Sequence, residues 1–161
     1  MNDNETRAQC CCFTGHREIP PAERAALKKR LWGTLETLIG QGVCYFAAGG
    51  ARGFDTLAAQ TVLALKELHP HIRLILVLPC KDQTRGWRTA DVTAYQEVLR
   101  QADKAVWLSE RYYDGCMHER NRRLVNNAAV CVCYYKHPRG GTAYTVQYAR
   151  EQKRRIVNVA L

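Results

Sequence analysis

Two glycine pairs each stand between a strand-like run and a helix-like run: Gly49-Gly50-Ala51-Arg52-Gly53 and Arg139-Gly140-Gly141-Thr142. At such a junction glycine permits a tight turn and lets a ligand approach main-chain N–H groups. The helix that follows leaves unpaired donors and a partial positive charge at the same spot. The chemistry this favours is anion recognition, and each turn also carries an arginine for charge-assisted contact. One such turn is ordinary in an α/β chain. Two in 161 residues point to a nucleotide or another phosphate-bearing ligand.

Other residues refine that chemistry. Asp55 opens a helix, where an acid complements the helix dipole. A carboxylate repels a phosphate, so any ligand contact of Asp55 suits sugar hydroxyls, as in dinucleotide sites. The phosphate then falls to Gly140-Gly141-Thr142, with a hydroxyl from Thr142 and a guanidinium from Arg139, although Thr142 also fits a plain helix N-cap. His16 and Arg17 follow the first apolar run, and a histidine there suits phosphate binding or titration near neutral pH. Met117, Leu124, Val125 and Ala128 form an apolar helical stripe, with Arg120 and Asn121 at its N-terminal end. Arg120 then either meets a ligand or pairs with a core carboxylate. Trp87 and Tyr112 offer rings to a base, or else cover helix ends.

Six apolar runs are the candidate strands: Cys10 to Thr14, Val43 to Ala48, Leu74 to Leu78, Ala105 to Leu108, Val130 to Tyr135 and Ile156 to Val159. Helical spacing fills the gaps at Ala22 to Ile39, Phe54 to Leu68, Thr89 to Ala102, Met117 to Asn127 and Thr142 to Gln152. Alternating strands and helices build an α/β fold, a mostly parallel six-stranded sheet with helices on both faces. The loops after the strands then share the carboxyl edge, where open α/β sheets bind ligands. Those loops are Thr14-Gly15-His16-Arg17, Gly49 to Gly53, Pro79 to Gln83, Ser109 to Cys116 and Lys136 to Gly141.

Length and an apolar content of 47% fit one domain spanning 1–161, with 1–8 a flexible N-terminal segment. The polar start lacks the regions of a signal peptide and no apolar run reaches membrane-spanning length, so a soluble, cytoplasmic protein with no membrane partner is expected. Six of the eight cysteines, Cys10, Cys11, Cys12, Cys44, Cys131 and Cys133, fall in strand-like runs and read as free, buried thiols. No metal is expected, and no cofactor is required. A net charge of +9 favours anionic partners without separating a nucleotide from a nucleic acid. Neither GxGxxG, GxxxxGK nor GxSxG occurs, which argues against NAD-type hydride transfer, P-loop hydrolysis and a serine nucleophile elbow.

Taken together, Thr14-Gly15-His16-Arg17, Gly49-Gly50-Ala51-Arg52-Gly53-Phe54-Asp55, Pro79 with Gln83 and Trp87, Tyr112 with Met117, Arg120 and Asn121, and Gly140-Gly141-Thr142 resemble the YpsA-like branch of the SLOG superfamily. The match runs in order over nearly the whole chain. That superfamily also contains DNA-processing protein A and the LOG-type phosphoribohydrolases. The resemblance implies a Rossmann-like, SLOG-type fold that binds nucleotides or their derivatives. The implied ligand set is Thr14, Gly15, His16, Arg17, Gly49, Gly50, Arg52, Gly53, Asp55, Gln83, Arg120, Asn121, Arg139, Gly140, Gly141 and Thr142.

The enzymatic LOG pattern pairs an arginine in Met-x-x-Arg with a glutamate in Pro-Gly-Gly-x-Gly-Thr-x-x-Glu. Met117 and Arg120 match the first element, but aligned on Gly140 and Gly141 the glutamate becomes Gln147, and aligned on Thr142 it becomes Thr145. Neither can act as a carboxylate base or stabilise an oxocarbenium charge. Binding or sensing of a nucleotide-derived ligand, including a nucleotide sugar, is therefore favoured. N-glycosidic hydrolysis of a nucleotide, with Glu119 or Asp55 supplying the acid, is the alternative, and nucleic-acid binding the second. A homo-oligomer is left open.

Overall fold

The computed structural model describes residues 3–161. The elements run α1 (Asp3–Ala8), β1 (Cys10–Gly15), α2 (Pro21–Gly40), β2 (Tyr45–Ala48), α3 (Phe54–Leu68), β3 (Arg73–Leu78), α4 (Thr89–Gln101), β4 (Lys104–Trp107), α5 (Cys116–Asn126), β5 (Val130–Tyr134), α6 (Gly140–Glu151) and β6 (Arg155–Asn158). Of the segment expected to be flexible, residues 3–8 form α1, and residues 1 and 2 lie outside the described residues.

Continuous apolar runs form the sheet because a parallel strand covered on both faces buries every side chain. β5, Val-Cys-Val-Cys-Tyr, is buried throughout. The sheet is wholly parallel, in the order β4-β3-β2-β1-β5-β6. On one face, Cys11, Phe13, Phe46, Leu74, Leu76 and Val132 pack with Leu27, Leu31 and Leu35 of α2 and with Leu57, Val62 and Leu65 of α3. Cys12 and Cys131 turn to the opposite face, against Leu124 and Val125 of α5 and Ala149 of α6. Truncating any of these leucines to alanine removes about 2–5 kcal/mol.

Three layers result, and strand order reverses between β1 and β5. Chains that wind outward from that point in both directions leave a crevice above it, at the carboxyl ends of the strands. Two boundaries differ from expectation in a way that matters. The last helix begins at Gly140 rather than Thr142, so the glycine pair is its first turn. Strand β2 starts at Tyr45, so Cys44 lies before it, where its N–H donates to the Gln9 carbonyl. All eight cysteines are free thiols. Among the described residues, no helix is long and apolar enough to cross a membrane.

Candidate functional site

The crevice at the reversal holds a cavity of about 480 Å³. Thr14, Gly15, His16 and Arg17 enter it from the end of β1, Asp55 from the start of α3, and Arg120 and Asn121 from the first turns of α5. Arg139, Gly140, Gly141 and Thr142 close it from the N-terminus of α6. Eleven of the sixteen candidate residues are thus brought to one wall.

The N-terminus of α6 opens onto the cavity without a side-chain cap. Its N-cap residue is Arg139, and no side chain caps the first-turn N–H groups, which leaves donors and the positive end of the helix dipole on the cavity. Thr142 sits within the first turn and is not the N-cap. His16 organises this loop: its Nε2 accepts the N–H of Lys136 at 2.9 Å and of His137 at 3.2 Å. An accepting Nε2 is unprotonated. Burial, then the neighbouring His137 and Lys136, hold the imidazole below its usual range.

Across the cavity floor lie two buried charges. Arg120, 3% exposed, donates from Nε to Asn121 Oδ1 at 2.7 Å and from Nη1 to the Gly49 carbonyl, and its Nη2 faces Met117 Sδ at 3.7 Å. Asp55, 6% exposed, accepts the Ala51 N–H through Oδ2 at 3.3 Å. Its Oδ1 has no hydrogen-bond partner. Burial pushes the Asp55 carboxyl up to about 6, against the opposing pull of Arg120, the Ala51 N–H and Arg17. A buried acceptor left unpaired costs about 1–3 kcal/mol.

Five candidates lie off this wall. Gly49 supports Arg120 from behind: a Cβ there would stand 2.7 Å from Nη1. Gly50 packs on Leu78, and Gly53, at φ +79°, lies against the Arg17 backbone. Arg52 turns away to Glu18, 2.5 Å off. Gln83 donates from Nε2 to the Gly49 carbonyl at 3.3 Å and lines a second cavity, next to the first. Outside the sixteen, Ala51, Met117 and His118 also line the wall, and of these only His118 belongs to none of the motifs in the sequence. His118 rests on Tyr144, ring centroids 4.0 Å apart; its place two residues before Arg120, in the same first turns of α5, was the available signal.

Neither position aligned with the LOG glutamate brings a carboxylate to the cavity. Gln147 is exposed and reaches Glu151, and Thr145 is buried with its hydroxyl on the Gly141 carbonyl. Glu119 accepts from the Tyr113 hydroxyl. Among the described residues, no three His, Cys, Asp or Glu side chains are grouped to hold a metal ion.

Residues 13–159 match the YpsA model, described as the YspA SLOG family. A UPF0398 protein of Halalkalibacterium halodurans is 30% identical over 130 residues, covering 79% of this chain and 69% of that one. The SPbeta prophage-derived protein YoqJ of Bacillus subtilis is 29% identical over 138 residues, 78% of this chain and 81% of that one. In fold, the chain is similar to DNA processing protein A from Helicobacter pylori, whose structure is described with a single-stranded DNA binding mode. That likeness has a TM-score of 0.67 at 20% identity over 96% of this chain and 66% of the other. The Streptococcus pneumoniae counterpart gives 0.65 at 16% identity, over 94% of this chain and 50% of that one. The chain therefore spans about two thirds and one half of these two proteins.

Proposed function

The chain belongs to the YspA SLOG family, and from that premise we propose that it binds a nucleotide-derived ligand in the crevice between β1 and β5. The phosphate lies at the uncapped start of α6, with Arg139 and Thr142 beside it, and the sugar lies over Asp55. One observation carries this reading: Asp55, whose Oδ1 has no hydrogen-bond partner, lines the same cavity as that helix start and Arg120. An acceptor next to a donor-rich anion site matches a sugar phosphate, which offers hydroxyl donors and phosphate acceptors a few ångströms apart.

Thermal unfolding against a panel of nucleoside phosphates and nucleotide sugars tests it, since a ligand of the folded state alone raises its stability. The expected result is a rise for the wild type that is reduced in Arg139→Ala. A panel without any rise, or an Arg139→Ala variant that responds like the wild type, overturns the site.

Binding without turnover is the form of this reading, because no carboxylate occupies the positions of Gln147 or Thr145. Chromatography for free base after incubation with nucleoside monophosphates checks that. Base release abolished by Asp55→Asn would instead assign N-glycosidic hydrolysis. A second reading, single-stranded nucleic acid, draws on the Helicobacter structure and the +9 charge. It requires oligonucleotide binding that weakens steeply with salt, and absence of binding at low salt removes it.

A further inference from the structure

A second cavity of about 320 Å³ adjoins the first, and Arg17 and Met117 belong to the walls of both. We infer that this second lobe receives the base of the ligand, and that Gln83 selects bases that present an N–H donor from an amino group. The inference rests on the phosphate and sugar assignment of the first lobe.

Three observations carry it. First, Trp87 and Tyr112 line the lobe together. Trp87 is held edge-on against Tyr95, centroids 5.8 Å apart at 86°. Tyr112 is 56% exposed, while its backbone N–H is fixed to Asp82 Oδ1 at 2.9 Å. An exposed aromatic ring on an anchored backbone, facing a cavity with a second ring in its wall, is suited to cover a planar group.

Second, the lobe is poorly matched to another phosphate. Its wall sets the carboxylate of Asp82 among Arg17 and Arg85, and a carboxylate repels a phosphate; of the start of α5 only Met117 reaches it.

Third, Gln83 is buried with its Oε1 unpartnered. Its orientation is settled by the Gly49 carbonyl, which accepts from Gln83 Nε2 and from Arg120. The reverse orientation would set the Gln83 oxygen against that carbonyl oxygen. Gln83, on the wall of the lobe, therefore carries a buried acceptor that can only receive, and an exocyclic amino group is a donor at the edge of a ring. A site with a buried acceptor discriminates sharply against an analogue lacking the donor, because the acceptor stays unpaired.

The experiment is calorimetric titration of the full chain with ribose 5-phosphate and three nucleotide pairs that differ at the amino group. The pairs are AMP with purine riboside 5′-monophosphate, GMP with IMP, and CMP with its 4-deamino counterpart. The amino member of at least one pair should bind about tenfold or more tighter than its partner, and both should exceed ribose 5-phosphate. Gln83→Met keeps the bulk and removes the acceptor, and should make that pair equal. Tyr112→Ala should weaken both members and leave ribose 5-phosphate unchanged. Circular dichroism of both variants confirms that they fold.

The outcomes separate. If ribose 5-phosphate binds as tightly as every nucleotide, the second lobe takes no base while the first lobe stands. If no pair differs, or the difference persists in Gln83→Met, Gln83 does not select. If nothing binds at all, the phosphate and sugar assignment fails and takes this inference with it.

Discussion

The two glycine turns begin alike in sequence and end with opposite uses. In the β2–α3 turn the glycines serve the interior: Gly49 makes room for the Arg120 guanidinium, and Gly53 lies against the backbone of Arg17. In the β5–α6 turn a Cβ on Gly140 or Gly141 would meet nothing within 4 Å. Gly140 still needs its φ of +82°, but Gly141 has no such constraint. Packing therefore accounts for the first pair and leaves Gly141 unexplained. The difference teaches that a glycine with space in front of it, at a helix start on a cavity, is the one whose smallness is available to a ligand.

Substitutions test that contrast. Gly53→Ala should have the largest effect, because it adds a Cβ against a backbone carbonyl at positive φ. A loss above about 3 kcal/mol is expected in chemical denaturation, and a variant as stable as the wild type would break the structural account of this turn.

Asp55→Asn comes next, through pH. An aspartate ionises near pH 4 when unfolded but at about 6 in this fold, so the folded state holds the proton more tightly. The contribution of this group to stability is then largest below pH 4 and is lost as the pH rises to 6 and above, a fall on the order of 2–3 kcal/mol. The variant should lack that fall, and an unchanged pH profile would show that the carboxylate is not held at such a cost.

Gly141→Ala should leave stability unchanged or raise it by up to about 1 kcal/mol, since alanine is the better helix residue. The stabilisation by nucleotide should nonetheless drop, corresponding to about tenfold weaker binding, or about 1.4 kcal/mol. Undiminished binding would erase the distinction between the two turns. Arg52→Ala should have the smallest effect, because its partner Glu18 is 77% exposed and such pairs contribute little. No measurable change is expected in melting temperature or in nucleotide binding, and a loss of binding would return Arg52 to the site.

The strand and helix order was readable from the chain because buried parallel strands are apolar throughout, as in Val130–Tyr134. The carboxyl edge followed from that order, and with it most of the cavity wall. What escaped depends on contacts between distant segments. The roles of Arg52 and Gln83 are set by Glu18 and by the Gly49 carbonyl, and no spacing rule announces either pairing. His16 lies at the cavity as its position after β1 suggests, but the two N–H groups its Nε2 accepts come from more than a hundred residues away. Gly140-Gly141 looked like a turn because glycine is a poor helix residue, yet at a helix start the backbone is still half free.

The Gly49 carbonyl joins Gln83, 34 residues away, to Arg120, 71 residues away. During folding, neither donor can reach it until the β3–α4 loop has returned to the sheet and α5 has packed across β1 and β3. Closing long loops is slow compared with forming local helices. The floor of the cavity therefore forms only with tertiary closure, and a chain arrested after β4 would hold both glycines of the first turn without the Arg120 guanidinium that packs beside Gly49.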